Sequence, residues 1–107
     1  MIRRTLPQRR AAETFDLRVW SHTFTITVGF YADGTMGEVF IDGGKTGQDI
    51  QSITRDAAVV LSIALQHGTP IETLRHAITR NDFGAAASIL GAIVDCISTK
   101  SLPGDGK

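Results

Sequence analysis

The stretch that decides the fold is residues 13–42, which read ETFDLRVWSHTFTITVGFYADGTMGEVFID. Apolar and polar residues alternate through it with a period of two, the pattern of half-buried β-strands. A link at Ser21-His22 and a turn at residues 32–35, where Asp-Gly adopts positive φ at little cost, divide it into three strands. The stretch therefore predicts an antiparallel meander that buries one of its two faces.

The period becomes helical after residue 47. The apolar stripe expected on the first helix consists of Ile50, Ile53, Ala57, Val60, Leu61 and Ala64. Gly68 is expected to end this helix, and residues 69–72 (Thr-Pro-Ile-Glu) predict a capping box for the second one. Asn81 or Asp82 is expected to cap the third. The inward residues expected on the last two helices are Ile71, Leu74, Ile78, Leu90, Ile93, Val94 and Ile97.

These elements predict a two-layer α+β domain in which a three-stranded antiparallel meander is followed by three helices packed on one face. The chain divides into a basic N-terminal arm (residues 1–12), a single domain (13–98) and a flexible tail (99–107). The other sheet face, with its row of threonines and Trp20 or Tyr31, is expected to stay open to solvent or to a second copy. Free sheet edges also favour a homodimer.

Length and composition limit the protein to one domain of ordinary globular type. The chain has 107 residues, of which 42% are apolar, with eleven basic and eleven acidic side chains. No apolar run approaches the ~20 residues of a membrane span. The lone Cys96 cannot form an internal disulfide. We therefore expect a soluble, cytoplasmic protein without a membrane partner.

The neutral total conceals an uneven distribution of charge. The N-terminal arm carries Arg3, Arg4, Arg9 and Arg10 and no acid, so the rest of the chain has seven basic and eleven acidic residues, a net charge of −4. Such an arm can fold back onto its own domain, remain solvated or contact phosphates. We favour the first two interpretations, with nucleic-acid contact as the alternative.

A glycine-rich loop, Gly43-Gly44-Lys45-Thr46-Gly47, lies between the third strand and the first helix. Backbone N–H groups of such loops can approach an anion, and a helix N-terminus adds a favourable dipole. The candidate anion-binding residues are Gly44, Lys45, Thr46 and Gly47. The loop matches neither the Walker A nor the dinucleotide-binding pattern. A tight turn that needs positive φ is therefore the favoured interpretation, and anion binding the alternative.

No catalytic or metal-binding constellation is predicted. The polar residues considered are His22, His67, His76, Cys96, Glu38, Asp42, Asp49 and Asp56. The histidines lack metal-ligand spacing, and nothing brings two carboxylates to the ~5–9.5 Å separation of glycosidase chemistry. We therefore predict no catalytic residue, no metal and no cofactor in this chain.

Several motifs resemble one known family. They are residues 37–41 (GEVFI), 44–47 (GKTG) and 61–72 (LSIALQHGTPIE), together with Leu6-Pro7-x-x-Arg10 and residues 30–34 (FYADG). The pattern is similar to the TSCPD domain, known from the C-terminal region of adenosylcobalamin-dependent (class II) ribonucleotide reductases. The resemblance covers residues 4–98.

The resemblance implies an accessory or interaction module linked to deoxynucleotide metabolism, self-associating and binding a ribonucleotide reductase or another protein. The reductase barrel, its radical cysteines and its nucleotide and cobalamin sites have no counterpart in this sequence, so reductase activity is not implied for the chain alone. The alternative is a nucleotide- or nucleic-acid-binding module that uses the glycine-rich loop and the N-terminal arginines. An enzyme that acts alone is the least favoured interpretation.

Overall fold

The computed structural model describes residues 2–43 and 47–100. The strands are β1 (Ala12–Val19), β2 (His22–Phe30) and β3 (Met36–Asp42). The helices are α1 (Gln48–Gln66), α2 (Ile71–Ala77) and α3 (Ile89–Ile97). The predicted α+β order of three strands followed by three helices is confirmed.

The strands form an antiparallel meander in the order β1-β2-β3. Its register places Phe15 opposite Ile26 and Ile26 opposite Ile41, so the alternating apolar residues of all three strands share one face. The first hairpin turns at Trp20 and Ser21, one residue earlier than predicted. Trp20 adopts a φ of 54°, which allows the two-residue link.

The core lies between the apolar sheet face and the helices α1 and α3. Phe24, Ile26 and Val28 of β2 are fully buried, as are Ile93 and Ile97 of α3. The partly buried apolar residues of α2 and its C-terminal end, Ile71, Leu74 and Ile78, pack against this cluster as predicted. Removal of this apolar surface from water is the main stabilising contribution to the domain.

Helix α1 lies along β3 and covers the outer edge of that strand. The Ser62 hydroxyl accepts a hydrogen bond from the Val39 N–H at 2.8 Å and lies 3.1 Å from the Val39 carbonyl, to which it can donate. One turn further on, the Gln66 side-chain amide donates to the Gly37 carbonyl at 2.8 Å. The backbone of β3 is therefore not available for strand addition at these positions, since its polar groups are already paired.

The predicted apolar stripe of α1 is wrong by about one residue in phase. Ile53 and Val60 were expected inside, but they are 67% and 68% exposed. The buried positions are instead Thr54, Ala58, Leu61 and Leu65, with Gln66. Thr54 tolerates burial because its hydroxyl bonds to the Ile50 carbonyl at 2.8 Å.

The helix termini also differ from the prediction in part. Gly68 follows α1 with a φ of 94°, as expected of a left-handed terminator. The capping box at residues 69–72 does not form, because Pro70 is the N-cap of α2 and no side chain caps that helix.

Helix α3 begins later than predicted. Asn81 and Asp82 do not cap it; the Asn81 side-chain oxygen instead accepts from the backbone N–H groups of Phe83 and Ala85 in a tight loop. The cap is Ser88, whose hydroxyl accepts from the Gly91 N–H at 3.0 Å. An Asx side chain satisfies a turn as readily as a helix start, so composition alone did not separate the two.

Candidate functional site

Of the glycine-rich loop, only Gly43 and Gly47 lie in the described part of the chain. Gly44, Lys45 and Thr46 lie outside it, so the anion site remains a prediction. Gly47 adopts a φ of 101°, and its carbonyl accepts the Gln51 N–H at 3.0 Å to open α1. The positive φ expected of this turn is thus present at Gly47.

The N-terminal arm is docked on its own domain at Tyr31. The Arg4 guanidinium stacks on the Tyr31 ring at 3.8 Å and forms an ion pair with Asp33 at 3.1 Å. The Tyr31 hydroxyl donates to the Arg4 carbonyl at 2.8 Å. Tyr31 is only 3% exposed as a result, so its predicted place on an open sheet face is wrong. Trp20, by contrast, is 62% exposed at the hairpin turn.

Hydrogen bonds within the β2–β3 turn lower the pKa of Asp33, the carboxylate that pairs with Arg4. The hydroxyl and backbone N–H of Thr35 donate to the Asp33 carboxylate, and these bonds, with a smaller contribution from Arg4, lower the pKa of Asp33 to about 2. Asp33 is therefore ionised at neutral pH and presents a fixed negative charge to the arm.

Gln66 is the second docking point of the arm. Its buried side-chain oxygen accepts from Arg3 Nε, while its side-chain nitrogen donates to the Gly37 carbonyl of β3. Its backbone carbonyl accepts the Arg4 N–H. One residue therefore joins the arm, α1 and β3. A buried amide needs this full set of partners.

The arm then leads into β1, beside the end of β2, and its Arg10 side chain reaches across to β3. Arg10 forms an ion pair with Glu38 and donates to the carbonyls of Pro7 and Gln8. The ion pair raises the pKa of Arg10 further. Arg9 makes no hydrogen bond or ion pair with the described residues. Arg4 and Arg10 thus already neutralise carboxylates of the same chain, which leaves Arg3 and Arg9 as the arm's arginines without an acidic partner there.

The docked arm forms one wall of a cleft of about 590 Å³. We call it the arm cleft. Its other walls are the β2–β3 turn, the end of α1 and the loop into α2, and its lining includes Ile2, Thr35, His67, Pro70, Ile71 and Lys100. The cleft combines apolar walls with basic groups, a composition suited to binding a partner segment.

Other titratable groups have structural partners. Arg80 pairs with both carboxylate oxygens of Asp95 at 2.6 Å, which lowers the pKa of Asp95. Lys100 lies over the Phe15 ring and 3.3 Å from Glu13, so the described part of the 99–107 segment contacts β1. These pairs were missed in the sequence because their members are distant along the chain.

Within residues 2–43 and 47–100, no three His, Cys, Asp or Glu side chains form a group that could hold a metal ion. The Glu38 carboxylate forms an ion pair with Arg10 of the arm. The two carboxylates of α1 that the sequence analysis considered, Asp49 and Asp56, are exposed. Cys96 is partly buried. None of the helices in the described ranges has the length and apolar character needed to cross a membrane.

Comparison with known families places these features in context. The model of the TSCPD domain matches residues 2–101, which include the arm, the sheet and all three helices. The chain belongs to the TSCPD domain family.

The curated relatives of this TSCPD domain are much longer proteins. It is 34% identical over 89 residues to vitamin B12-dependent ribonucleotide reductases of Agrobacterium fabrum and Bradyrhizobium diazoefficiens, an alignment that covers 83% of the chain and 7% of each relative. It is 35% identical over 81 residues to the corresponding protein of Rhodopirellula baltica, covering 76% of the chain and 8% of the relative. The chain therefore spans less than a tenth of the length of these relatives. No solved structure matches it significantly.

The segments that carry the family resemblance meet in this structure. In the TSCPD domain described here, a Cβ on Gly37 would lie 2.6 Å from both Leu6 Cδ2 and Tyr31 Cε2, so the absence of a side chain lets the arm and the β2–β3 turn close over β3. Gln66 approaches the same glycine from α1. The shared motifs thus build a structural junction that includes the arm.

Proposed function

We propose that this TSCPD domain is an accessory interaction module of deoxynucleotide metabolism that binds a class II ribonucleotide reductase and performs no reductase chemistry itself. The observation that carries the proposal is the junction at Gln66, where the motifs similar to the reductases join the arm, β3 and α1. Because these motifs hold one folding unit together, the region shared with the reductases is a module that can be used apart from the rest of such an enzyme.

The relatives are named for vitamin B12 dependence, but the chain covers less than a tenth of them. We therefore assign cobalamin, nucleotide substrate and radical chemistry to the reductase partner. A reductase partner would also place the module in the cytoplasm.

We assign the arm cleft as the surface that contacts the partner. It is formed by the same segments that resemble the reductases, and its rim carries the basic groups Arg4, His67 and Lys100. Because Arg4 and Lys100 are already paired with Asp33 and Glu13, a partner segment that places apolar residues against Ile2, Pro70 and Ile71 would match this lining.

The test is biolayer interferometry between the purified chain and the vitamin B12-dependent ribonucleotide reductase of the same organism. We expect saturable binding that Ile2→Glu weakens at least tenfold, because Ile2 lines the cleft and the substitution adds negative charge there. Phe83→Glu is the matched control, since both side chains are more than 90% exposed. Absence of binding, or equal loss in both variants, contradicts the proposal.

Nucleotide binding through the glycine-rich loop is the competing outcome. It would appear as a rise in melting temperature with nucleotides or short single strands that Lys45→Ala abolishes. A shift of this kind without reductase binding would replace the proposed function with the alternative.

A further inference from the structure

Helix α1 presents an apolar face that nothing in the described structure covers. Four of its exposed residues are apolar, and Phe40 of β3 adds an aromatic ring beside them. The exposed fractions are 67% for Ile53, 57% for Val59, 68% for Val60, 38% for Ile63 and 56% for Phe40. A large contiguous apolar patch on the surface of a small domain is typical of an interaction site.

The apolar residues form one continuous surface. Phe40, Val59 and Ile63 line the same open groove of about 460 Å³ between β3 and α1. Val60 is three residues from Ile63, and Ile53 lies two helical turns before Val60, so these side chains adjoin one another along the exposed side of α1. Ile53 also lines a second groove, on the other flank of the helix, with Trp20 and Ile89. Together with Arg55 and Asp56 we call these residues the α1 patch.

Two opposite charges lie within this apolar surface. Arg55 lines the groove beside Phe40, and Asp56 lies one turn from Ile53 and Val60. Being adjacent in sequence, the two side chains do not face each other on a helix. Neither forms an ion pair or hydrogen bond with any residue in the described ranges. Arg55 and Asp56 are thus the two charged groups of the patch, and neither charge is neutralised by another described residue. Arg3 lines the same groove beside Gln66, whose side-chain oxygen accepts from its Nε.

We infer that the α1 patch is the contact surface of a twofold homodimer, in which α1 packs against α1 and Arg55 of each protomer pairs with the partner's Asp56. A twofold interface brings a surface against its own copy, so it requires a patch that is complementary to itself. One unpaired charge of each sign among apolar side chains meets this requirement.

The balance of charge favours a second copy over another partner. An acidic segment would pair with Arg55 but would meet Asp56, and a basic one would meet Arg55, so either would bury a like charge at the contact. Two copies cannot pair their β3 strands edge to edge at Val39, because the Ser62 hydroxyl already accepts the Val39 N–H. The inference goes beyond the proposed function, because the dimer requires no reductase and uses a surface other than the arm cleft.

The test is sedimentation velocity of the full chain from about 1 to 300 µM, a range that covers micromolar dimers. We expect the wild type to approach twice the 11.5 kDa of the chain. Val60→Lys should be monomeric throughout, because it places a charge at the centre of the apolar contact. Phe83→Lys, which changes an even more exposed apolar residue outside the patch, should dimerise like the wild type.

A charge exchange tests the pairing itself. Arg55→Asp and Asp56→Arg should each weaken dimerisation at least tenfold, and the double variant should restore it because the opposite charges meet again. Circular dichroism checks that each variant is folded, which is expected since the changed side chains are exposed. A monomeric wild type, single variants that dimerise normally, or a double variant that stays monomeric would each overturn the inference. Reductase binding is measured separately, so its failure would leave this result unaffected.

Discussion

Gln66 shows how one side chain can organise several segments. It is 8% exposed, and both ends of its amide are used: the nitrogen by the Gly37 carbonyl and the oxygen by Arg3. A buried amide group without a hydrogen-bond partner would destabilise the domain by about 1–3 kcal/mol. Arg3 of the arm supplies the partner of the Gln66 oxygen, so the arm contributes to the stability of the domain. Residue-scale chemistry thus explains why a basic, proline-containing arm is ordered on this domain.

Asp33 gives the domain a pH dependence at low pH. Its pKa of about 2 lies below the ~3.9 of an unfolded aspartate, so its contribution to stability is complete above pH ~4 and is lost as pH falls towards 2. We predict that Asp33→Asn makes the melting temperature fall less between pH 4 and pH 2 than it does in the wild type. Thermal melts followed by circular dichroism at several pH values measure this.

The cause of the shift is separately testable by NMR titration of the Asp33 carboxyl carbon. Because Thr35 supplies the two largest contributions, Thr35→Val should raise this pKa more than Arg4→Gln does. A larger rise in Arg4→Gln would mean that the arm, and not the turn, holds the carboxylate ionised.

At the scale of elements, α1 serves as the cover of an edge strand. Ser62 and Gln66, one turn apart, bind the backbone of β3 at Val39 and Gly37. This arrangement fixes which side of the helix is buried and leaves the apolar residues of the opposite side in solvent. The α1 patch is therefore a consequence of how the helix meets the strand.

We predict that Ser62→Ala lowers the free energy of unfolding by about 1–2 kcal/mol, because the Val39 N–H loses its partner at a partly buried edge. Urea unfolding measures the loss, and amide hydrogen exchange should show faster exchange at Val39. Ser52→Ala on the exposed side of the same helix is the control and should change stability by less than ~0.5 kcal/mol. Equal effects in the two variants would argue against the edge contact.

At the scale of the whole molecule, the docked arm and the two-layer domain form one structure. The arm contacts the β2–β3 turn, β3 and the end of α1, and it helps to bury Tyr31. It also forms a wall of the arm cleft. The proposed partner surface therefore depends on the arm being in place.

Deletion of residues 2–6 should therefore destabilise the domain as well as remove the cleft wall. We expect a loss of about 2 kcal/mol, from the contacts of Arg3, Arg4 and Leu6, and a melting temperature lower by roughly 8–16 °C for a domain of this size. Differential scanning calorimetry measures both. Arg9→Ala is the control, because Arg9 makes no polar contact with the described residues, and its melting temperature should equal that of the wild type. An unchanged melting temperature in the deletion would show that the arm is not docked in solution.

The strands and the fold class were predictable because a period of two and an Asp-Gly turn are local signals. The last helix was predictable in its inward residues but not in its start, since Asn81 closes a turn in place of capping a helix. The phase of α1 was not predictable, because apolar residues occupy both sides of that helix and periodicity cannot choose between them.

The sequence indicated docking of the arm on its own domain only as one of several interpretations. Four arginines without a neighbouring acid indicate a positively charged segment. The acids that pair with Arg4 and Arg10, however, are Asp33 and Glu38, which lie more than twenty residues away in the sequence. Contacts between such distant residues depend on the register of the sheet, which brings the β2–β3 turn and β3 beneath the arm.

The amino-acid sequence by itself determined the three-stranded meander, the succession of three helices and the family, because each of these follows from local periodicity or from contiguous motifs. Only the tertiary structure decided which side of α1 is buried, where the arm binds and which apolar residues remain in solvent. The physical reason is that hydrogen bonds between distant segments, such as Ser62 to Val39 and Gln66 to Gly37, select one packing among several that the apolar pattern alone permits.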